Sequence, residues 1–154
     1  MEVGLEIQSN GNEVIGISIT SFGTWPDSPD TPYMTLGGGA ILITGTNNTI
    51  FGNRIGSGAW QNSVGVRISG PGNNIVRNVI SGNGAGIIAE QSNNLILGNI
   101  IGPDDDGITA VHNRYGIVLD QGADNTIIGT PAPGEDNLIS ANDYIGILSL
   151  SDLN

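Results

Sequence analysis

The feature that most constrains this chain is a short phrase that returns at intervals of roughly twenty to forty residues. It reads NLILGNIIG at Asn94–Gly102 and NTIFGNRIG at Asn48–Gly56, with shorter, weaker or split copies elsewhere. Self-similarity at such a period is typical of a repeat architecture, so the repeat is interpreted before any local feature. A second phrase, of mostly aliphatic residues, precedes each copy and returns at Gly4–Ile7, Ala40–Ile43, Gly65–Ile68, Gly86–Ala89, Gly116–Leu119 and Gly146–Ser149.

The residues within each repeat favour short strands. Glycine and β-branched residues both oppose helix, and every aliphatic run is soon interrupted by Gly or Asn. In Gly65–Ile68 the alternation points Val66 and Ile68 inward and Arg67 outward. The shortest repeat, from Gly65 to Gly86, spans 21 residues and holds three short strands and three turns. We therefore predict an all-β parallel solenoid of five to six coils, a single domain over residues 1–154.

Stacking the repeats predicts which residues line the interior. One corner of the coil repeats Asn53, Asn78, Asn99 and Asn137, with Ile17 in the first coil. We expect these asparagines to adopt the left-handed conformation of a sharp corner and to stack as an amide ladder. The predicted inward columns are Leu5, Ile41, Val66, Ile87, Ile117, Ile147; Ile7, Ile43, Ile68, Ala89, Leu119; Val14, Ile50, Ile75, Ile96, Ile127; and Ile19, Ile55, Ile80, Ile101, Ile139.

Outward positions and loops follow from the same alignment. Extruded loops are predicted at 21–38, 57–64, 103–115 and 130–136. Two outward columns are rich in apolar residues, which predicts either a partner or a covering loop. Both ends resemble cut coils, so we expect either a fragment of a longer protein or self-association through uncapped ends. The two outward columns are Glu6, Leu42, Arg67, Ile88, Val118, Leu148 and Arg54, Val79, Ile100, Leu138.

Charge and composition exclude several classes of function. The chain has 15 acidic and four basic residues, a net charge of -11 and no Lys, which argues against nucleic-acid binding because that requires a basic face. The absence of Cys excludes disulfides and thiolate metal sites. No apolar run is long enough for membrane insertion, and the chain as given begins without a signal peptide.

The stretch Asn99–Asn142 resembles the right-handed parallel β-helix repeats of secreted and surface-exposed bacterial proteins. Those repeats typically read N-x-I-G-x-D-x-x-G, N-x-x-G-I-x-I, G-A-x-N-T-I-G-G and N-V-I-S-G-N. Here Asn78–Asn83 is a full copy of the last phrase, whereas Ala141 replaces its glycine in the later copy. The resemblance implies a right-handed parallel β-helix, which is the superfold of pectate lyases. It also implies an extracellular or cell-surface location. One superfold hosts many activities, so it implies little about chemistry.

One candidate site is catalytic. Enzymes of this fold that cleave or epimerise acidic polysaccharides need a base, an acid and a cation that neutralises the uronate carboxylate. His112, Arg114 and Tyr115, beside the aspartates of the same predicted loop, supply those groups. A solvated loop with no catalytic role is the alternative that we prefer, since the family repeat already contains a loop of this length.

Other residues are candidates for binding. Asp104, Asp105 and Asp106 precede a glycine and could ligate Ca²⁺, but they lack the alternate spacing of known calcium loops, and a solvated acidic loop is the interpretation that we prefer. Five further candidates share a capacity to contact sugars, the aromatic ones by stacking and the arginines by pairing with a sugar acid, and they are Trp25, Tyr33, Trp60, Arg54 and Arg77. Outward arginines are also explained by pairing with Glu6 or Glu90.

From these observations we expect a non-catalytic structural or interaction segment of an exported or cell-surface protein, one that self-associates end to end. A polysaccharide lyase or epimerase module is the first alternative, and passive glycan binding is the second. No cofactor other than Ca²⁺ is suggested by the sequence.

Overall fold

The computed structural model describes residues 2–23, 37–58 and 62–151, and these residues form sixteen strands and no helix. The strands make three sheets in which all neighbours are parallel. The first sheet contains, in spatial order, β1 (Val3–Ile7), β4 (Gly39–Ile43), β7 (Asn62–Ile68), β10 (Asn83–Ala89), β13 (Tyr115–Leu119) and β16 (Ile145–Ser149). The second contains β2 (Glu13–Ile15), β5 (Thr49–Phe51), β8 (Asn74–Val76), β11 (Leu95–Leu97) and β14 (Ile127–Ile128). The third contains β3 (Ser18–Ile19), β6 (Arg54–Ile55), β9 (Val79–Ile80), β12 (Ile100–Ile101) and β15 (Leu138–Ile139).

The chain visits the three sheets in turn and adds one strand to each sheet per coil. This is a parallel β-helix with five coils, β1–β3 to β13–β15, and the first strand of a sixth, so the predicted fold is confirmed. Strands β7 and β13 begin at Asn62 and Tyr115, inside the ranges predicted as loops. The predicted loops at 21–38 and 57–64 also include residues 24–36 and 59–61, which lie outside the described part.

The interior columns match the prediction in the first and third sheets. In the first sheet Leu5, Ile41, Val66, Ile87, Ile117 and Ile147 stack in register. The prediction is wrong at the last position of the second sheet, because Ile96 pairs with Ile128 and Ile127 is 47% exposed. Asn125 takes the left-handed conformation that Asn93 has one coil earlier, so the strand begins one residue later than the repeated letters suggest.

Three asparagine ladders follow the three corners of the coil, where the sequence had predicted one. The first ladder is Asn12, Asn48, Asn73 and Asn94. The second is Asn53, Asn78, Asn99 and Asn137, with Ile17 below it as expected. The third is Asn62, Asn83, Asn113 and Asn142. Most of these side chains are buried, and their amides satisfy backbone groups that the turns would otherwise leave unpaired.

The asparagines of the second ladder do not adopt the left-handed conformation, and on this point the prediction is wrong. Gly52, Arg77 and Gly98 have positive φ and immediately precede Asn53, Asn78 and Asn99. The preceding residue makes the sharp turn, and the asparagine after it extends its side chain along the rod. Glycine suits the turning position because it lacks the Cβ that penalises positive φ.

The outward column of the first sheet is not a free surface at its centre. Ile88 and Val118 are fully buried, and with Val64, Ala85 and Tyr115 they form a second hydrophobic cluster outside the rod. The sequence left open whether a partner or a loop of the chain covers this column. At the centre of the column the chain itself provides the cover. The outward column of the third sheet stays partly exposed, and Leu138 at its end is 41% exposed.

Candidate functional site

The loop between β12 and β13 carries five of the eleven candidate residues, and a sixth, Tyr115, begins β13. Its base is a short antiparallel bridge between Pro103 and Ala110. At its tip Asp106 accepts hydrogen bonds of 2.5–2.7 Å from the Thr109 hydroxyl and from the backbone N–H groups of Ile108 and Thr109. These bonds, the Thr109 hydroxyl first, lower the pKa of the Asp106 carboxyl from its ordinary value. The carboxylate of Asp106 is therefore used to close the turn.

The other two aspartates of the loop face an arginine. Arg54, in β6 of the second coil, contacts the Asp104 carboxylate and lies 3.1 Å from that of Asp105. The loop leaves the rod in the fourth coil, so this ion pair spans the coil between them. Arg54 was predicted as a sugar-acid ligand, and the structure places it against two carboxylates of its own chain.

A calcium site would require the three carboxylates to converge. Asp104 and Asp105 are directed at Arg54, and Asp106 is bonded within its own turn. Across residues 2–23, 37–58 and 62–151 there is no group of three or more His, Asp or Glu side chains that could hold a metal ion. The residues present therefore do not fit the Ca²⁺ site that the sequence suggested.

His112 lies at the end of the same loop, and its Nδ1 is 2.9 Å from the Asp143 carboxylate. Its side chain is 51% exposed, and that of Asp143 is 40% exposed. A carboxylate that orients an imidazole is an arrangement known from general bases. It also occurs as a surface ion pair, and here it ties the fifth coil to the start of the sixth.

Arg114 lies against two aromatic rings. Its guanidinium carbon lies 5.6 Å from the Tyr115 ring centroid and 5.8 Å from that of Tyr144. The two rings meet edge to face at 5.5 Å. Arg114 and Tyr115 are 9% and 5% exposed, so this cluster, with only Tyr144 largely exposed, packs the corner between two coils.

The remaining arginines lie elsewhere on the rod. Arg67 points outward from β7 and its Nε lies 3.5 Å from Glu90, as the sequence had suggested. Arg77 is exposed, and its stem crosses Gly98 of the next coil. Arg77 is thus the one predicted charged ligand that the structure places on an open corner of the rod. The aromatic candidates Trp25, Tyr33 and Trp60 lie outside the described residues, and glycan binding through them stays a prediction.

Sequence reasoning missed Asp143 and Tyr144, although a signal was present. The run Asn113-Arg114-Tyr115 returns as Asn142-Asp143-Tyr144, one residue before the last copy of the aliphatic phrase. Both asparagines belong to the third ladder, which the sequence analysis did not identify. Recognising that ladder would have placed the two tyrosines on neighbouring coils.

Comparison of this chain with models of known protein families finds no match, and neither curated proteins nor solved structures match it. Within the described part of the chain, no helix has the length and apolarity needed to cross a membrane. The function must therefore be argued from the fold and the contacts of these residues alone.

Proposed function

We propose that this chain is a non-catalytic structural and interaction segment of an exported or cell-surface protein. The observation that carries the proposal is that the groups a uronate-processing site would use are engaged with one another. Three of the chain's four arginines contact carboxylates or aromatic rings, namely Arg54, Arg67 and Arg114. The one histidine is paired with Asp143.

This pairing matters because cleavage of a uronate polymer needs a cation that is available to the substrate. The substrate carboxylate would have to displace Asp104 and Asp105 from Arg54, and the net charge of -11 opposes its approach. Arg114 is almost fully covered by its neighbours. A site that must first break its own ion pairs loses the preorganisation on which electrostatic catalysis depends.

The rest of the molecule supports a structural role. The interior is a continuous series of stacked aliphatic columns, and asparagine ladders close the corners. Each coil stabilises its neighbours, and such rods serve as spacers or as surfaces for extended binding. The exported or surface location rests on the resemblance of the repeat phrases to those of secreted and surface proteins.

A polysaccharide lyase or epimerase is the second candidate, and the pair of the half-exposed His112 with Asp143 favours it. The discriminating experiment incubates the chain with pectate and with alginate, with and without Ca²⁺, and follows the absorbance of unsaturated uronate. Epimerisation is followed in parallel by proton exchange from solvent into the polymer. We expect neither product nor exchange.

The matched variant for this assay is His112→Ala, with Tyr144→Phe as a control that keeps the ring beside Arg114. Product formation or exchange that is lost in His112→Ala and kept in Tyr144→Phe would overturn the non-catalytic proposal. Activity unaffected by His112→Ala would overturn it as well and would place the chemistry elsewhere on the rod.

A further inference from the structure

Arg77 occupies a corner position at which other coils carry glycine. Its φ is 54°, in the left-handed region, and the corresponding residues of the first, second and fourth coils are Gly16, Gly52 and Gly98. A residue with a Cβ is strained in this conformation, whereas glycine is not. Strain of this kind is concentrated at functional sites. The arginine at this corner therefore calls for a reason other than the fold.

The side chain of Arg77 runs along the rod over two glycines. A Cβ on Gly98 would lie 3.2 Å from Arg77 Cγ, and one on Gly134 would lie 3.1 Å from Arg77 Nη2. The stem therefore crosses the fourth coil, and the guanidinium reaches the loop between β14 and β15. Side chains at positions 98 and 134 would crowd the arginine, so the two glycines leave a path for it.

Among the residues that the structure describes, Arg77 pairs with no carboxylate. No acidic oxygen of residues 2–23, 37–58 and 62–151 lies within 4.0 Å of its guanidinium. Glu135, on the loop that the guanidinium approaches, accepts a hydrogen bond from the Thr130 hydroxyl instead. The Arg77 side chain is also exposed. Its planar set of N–H donors, which matches the geometry of a carboxylate, is thus open to a ligand.

Arg77 borders an apolar stripe on the outer face of the second sheet. Phe51, Val76 and Leu97 stack in register there and alternate with fully buried residues of the same strands. Phe51 is 36% exposed, and the other two are half-buried. These residues belong to the second, third and fourth coils, and each of those coils has a neighbour on both sides. The exposure of the stripe therefore does not depend on where the sequence ends.

The charge around the stripe restricts the ligand. In the five strands of the second sheet only Glu13 is charged, and it lies in the first coil. One cation beside neutral apolar surface matches one carboxylate on an apolar body. The net charge of -11 opposes a uronate polymer or a second copy of this chain more strongly than it opposes a ligand with a single charge.

We propose that Arg77 and the stripe of Phe51, Val76 and Leu97 bind a ligand that carries one carboxylate on an apolar body. The guanidinium of Arg77 receives the carboxylate through charge-assisted hydrogen bonds, and the apolar part of the ligand covers the stripe. A free apolar acid presents this chemistry, and so does the carboxyl terminus of a polypeptide that ends in apolar residues.

The test follows the binding of small probes to the full chain by NMR, through the Arg77 Nε–H group and the backbone amides of Val76 and Gly98. Hexanoate carries both features, acetate carries only the carboxylate, and hexanamide carries only the apolar body. Acetyl-Leu-Leu with a free carboxyl terminus, compared with its terminal amide, tests the polypeptide source. A galacturonate trimer tests a polyanion.

The matched variant is Arg77→Gly, which introduces the residue of the other coils and removes the strain. Its unfolding midpoint in urea should not fall below that of the parent chain, because glycine suits the left-handed corner. Arg67→Gln is the control, since it removes a cation from the first sheet and leaves the stripe and Arg77 intact.

We expect hexanoate to bind about tenfold or more tightly than acetate or hexanamide. Its affinity should fall by about tenfold in Arg77→Gly and stay within about twofold of the parent in Arg67→Gln. If acetyl-Leu-Leu binds more tightly than both its amide and hexanoate, the ligand is a polypeptide end, and the reverse order assigns a free acid.

Equal affinities of hexanoate and hexanamide would overturn the inference, as would a preference for the galacturonate trimer or binding of no probe. Unchanged binding in Arg77→Gly would overturn it as well. If the urea midpoint of that variant also fell, the arginine would be assigned to the fold alone.

This inference rests on the proposed role as an interaction segment, and the two can fail separately. Lyase or epimerase activity would remove the proposed function and leave the probe affinities standing. Failure of probe binding would remove the Arg77 site and leave the uronate assay unaffected.

Discussion

The middle coils and the last coil contain the same residue types at the same positions, but in different surroundings. Ile87 and Ile147 belong to one inward column, and they are 0% and 47% exposed. Asn78 and Asn137 belong to one ladder, and they are 1% exposed and half-buried. In a rod of this kind each coil depends on both of its neighbours. The comparison teaches that position along the rod, more than residue type, sets the contribution of a side chain to stability.

The largest expected difference in stability between a middle coil and the last coil is in the aliphatic columns. Ile87→Ala removes a fully buried side chain between two coils and should lower the free energy of unfolding by about 2–5 kcal/mol. Ile147→Ala removes a half-exposed one and should cost about 1 kcal/mol or less. Urea unfolding followed by circular dichroism measures both. Equal losses would show that the last coil is packed as tightly as the middle.

The second difference is in the ladder. Asn78 accepts from Asn53 and donates to Ile50 and Asn99, so Asn78→Ala leaves buried backbone groups unpaired and should cost about 2–4 kcal/mol. Asn137→Ala should cost about 1 kcal/mol, because Asn137 is itself only half-buried and water can take the place of its side chain. The same urea titration applies. The ladder would be shown to contribute little if Asn78→Ala proved the milder change.

The third difference tests a glycine column on the inner side of the first sheet. A Cβ on Gly86 would lie 2.6 Å from the Gly116 carbonyl oxygen of the next coil, whereas one on Gly146 would meet only Ile139 at 3.7 Å. Gly86→Ala should therefore destabilise by about 1–3 kcal/mol through overpacking. Gly146→Ala should stay within about 0.5 kcal/mol of the parent. A tolerated Gly86→Ala would contradict the observed spacing of the coils.

The smallest expected effect is a pH-dependent change in the loop around Asp106 that the coils of the rod do not share. Because the folded-state pKa of Asp106 is lowered, its hydrogen bonds stabilise the loop at pH values above the unfolded pKa. That contribution is lost as the pH falls through the folded value. Amide shifts of Ile108 and Thr109 should follow this transition while those of the middle coils stay constant. In Asp106→Asn the transition should vanish, and a transition that persisted would assign it to another group.

The sequence was sufficient to predict the fold because the same physical constraint returns in every coil. Aliphatic residues recur where Ile41, Val66 and Ile87 stack, and an error of one residue would move them all to the outside. The second ladder was visible for the same reason. The first and third ladders were missed, although Asn48 and Asn73, or Asn83 and Asn113, recur just as regularly.

The candidate site was less predictable, because its contacts depend on the path of one loop. Nothing in the repeat brings Arg54 to Asp104, since fifty residues separate them and only the folded loop closes that distance. The wrong placement of Ile127 has a local cause. The preceding coil has two adjacent asparagines, Asn93 and Asn94, and Asn125 corresponds to the first of them, which is left-handed, rather than to the second. The burial of Ile88 and Val118 follows from the second hydrophobic cluster, which periodicity alone does not reveal.

The central claim is that the coils stack in parallel and that one-way asparagine ladders join them. Scalar couplings across hydrogen bonds test it directly, from the backbone nitrogens of Asn53 and Asn78 to the side-chain carbonyls of Asn78 and Asn99. The structure predicts a coupling from each asparagine to the one in the following coil. Couplings in the reverse direction, or between asparagines of different corners, would contradict it.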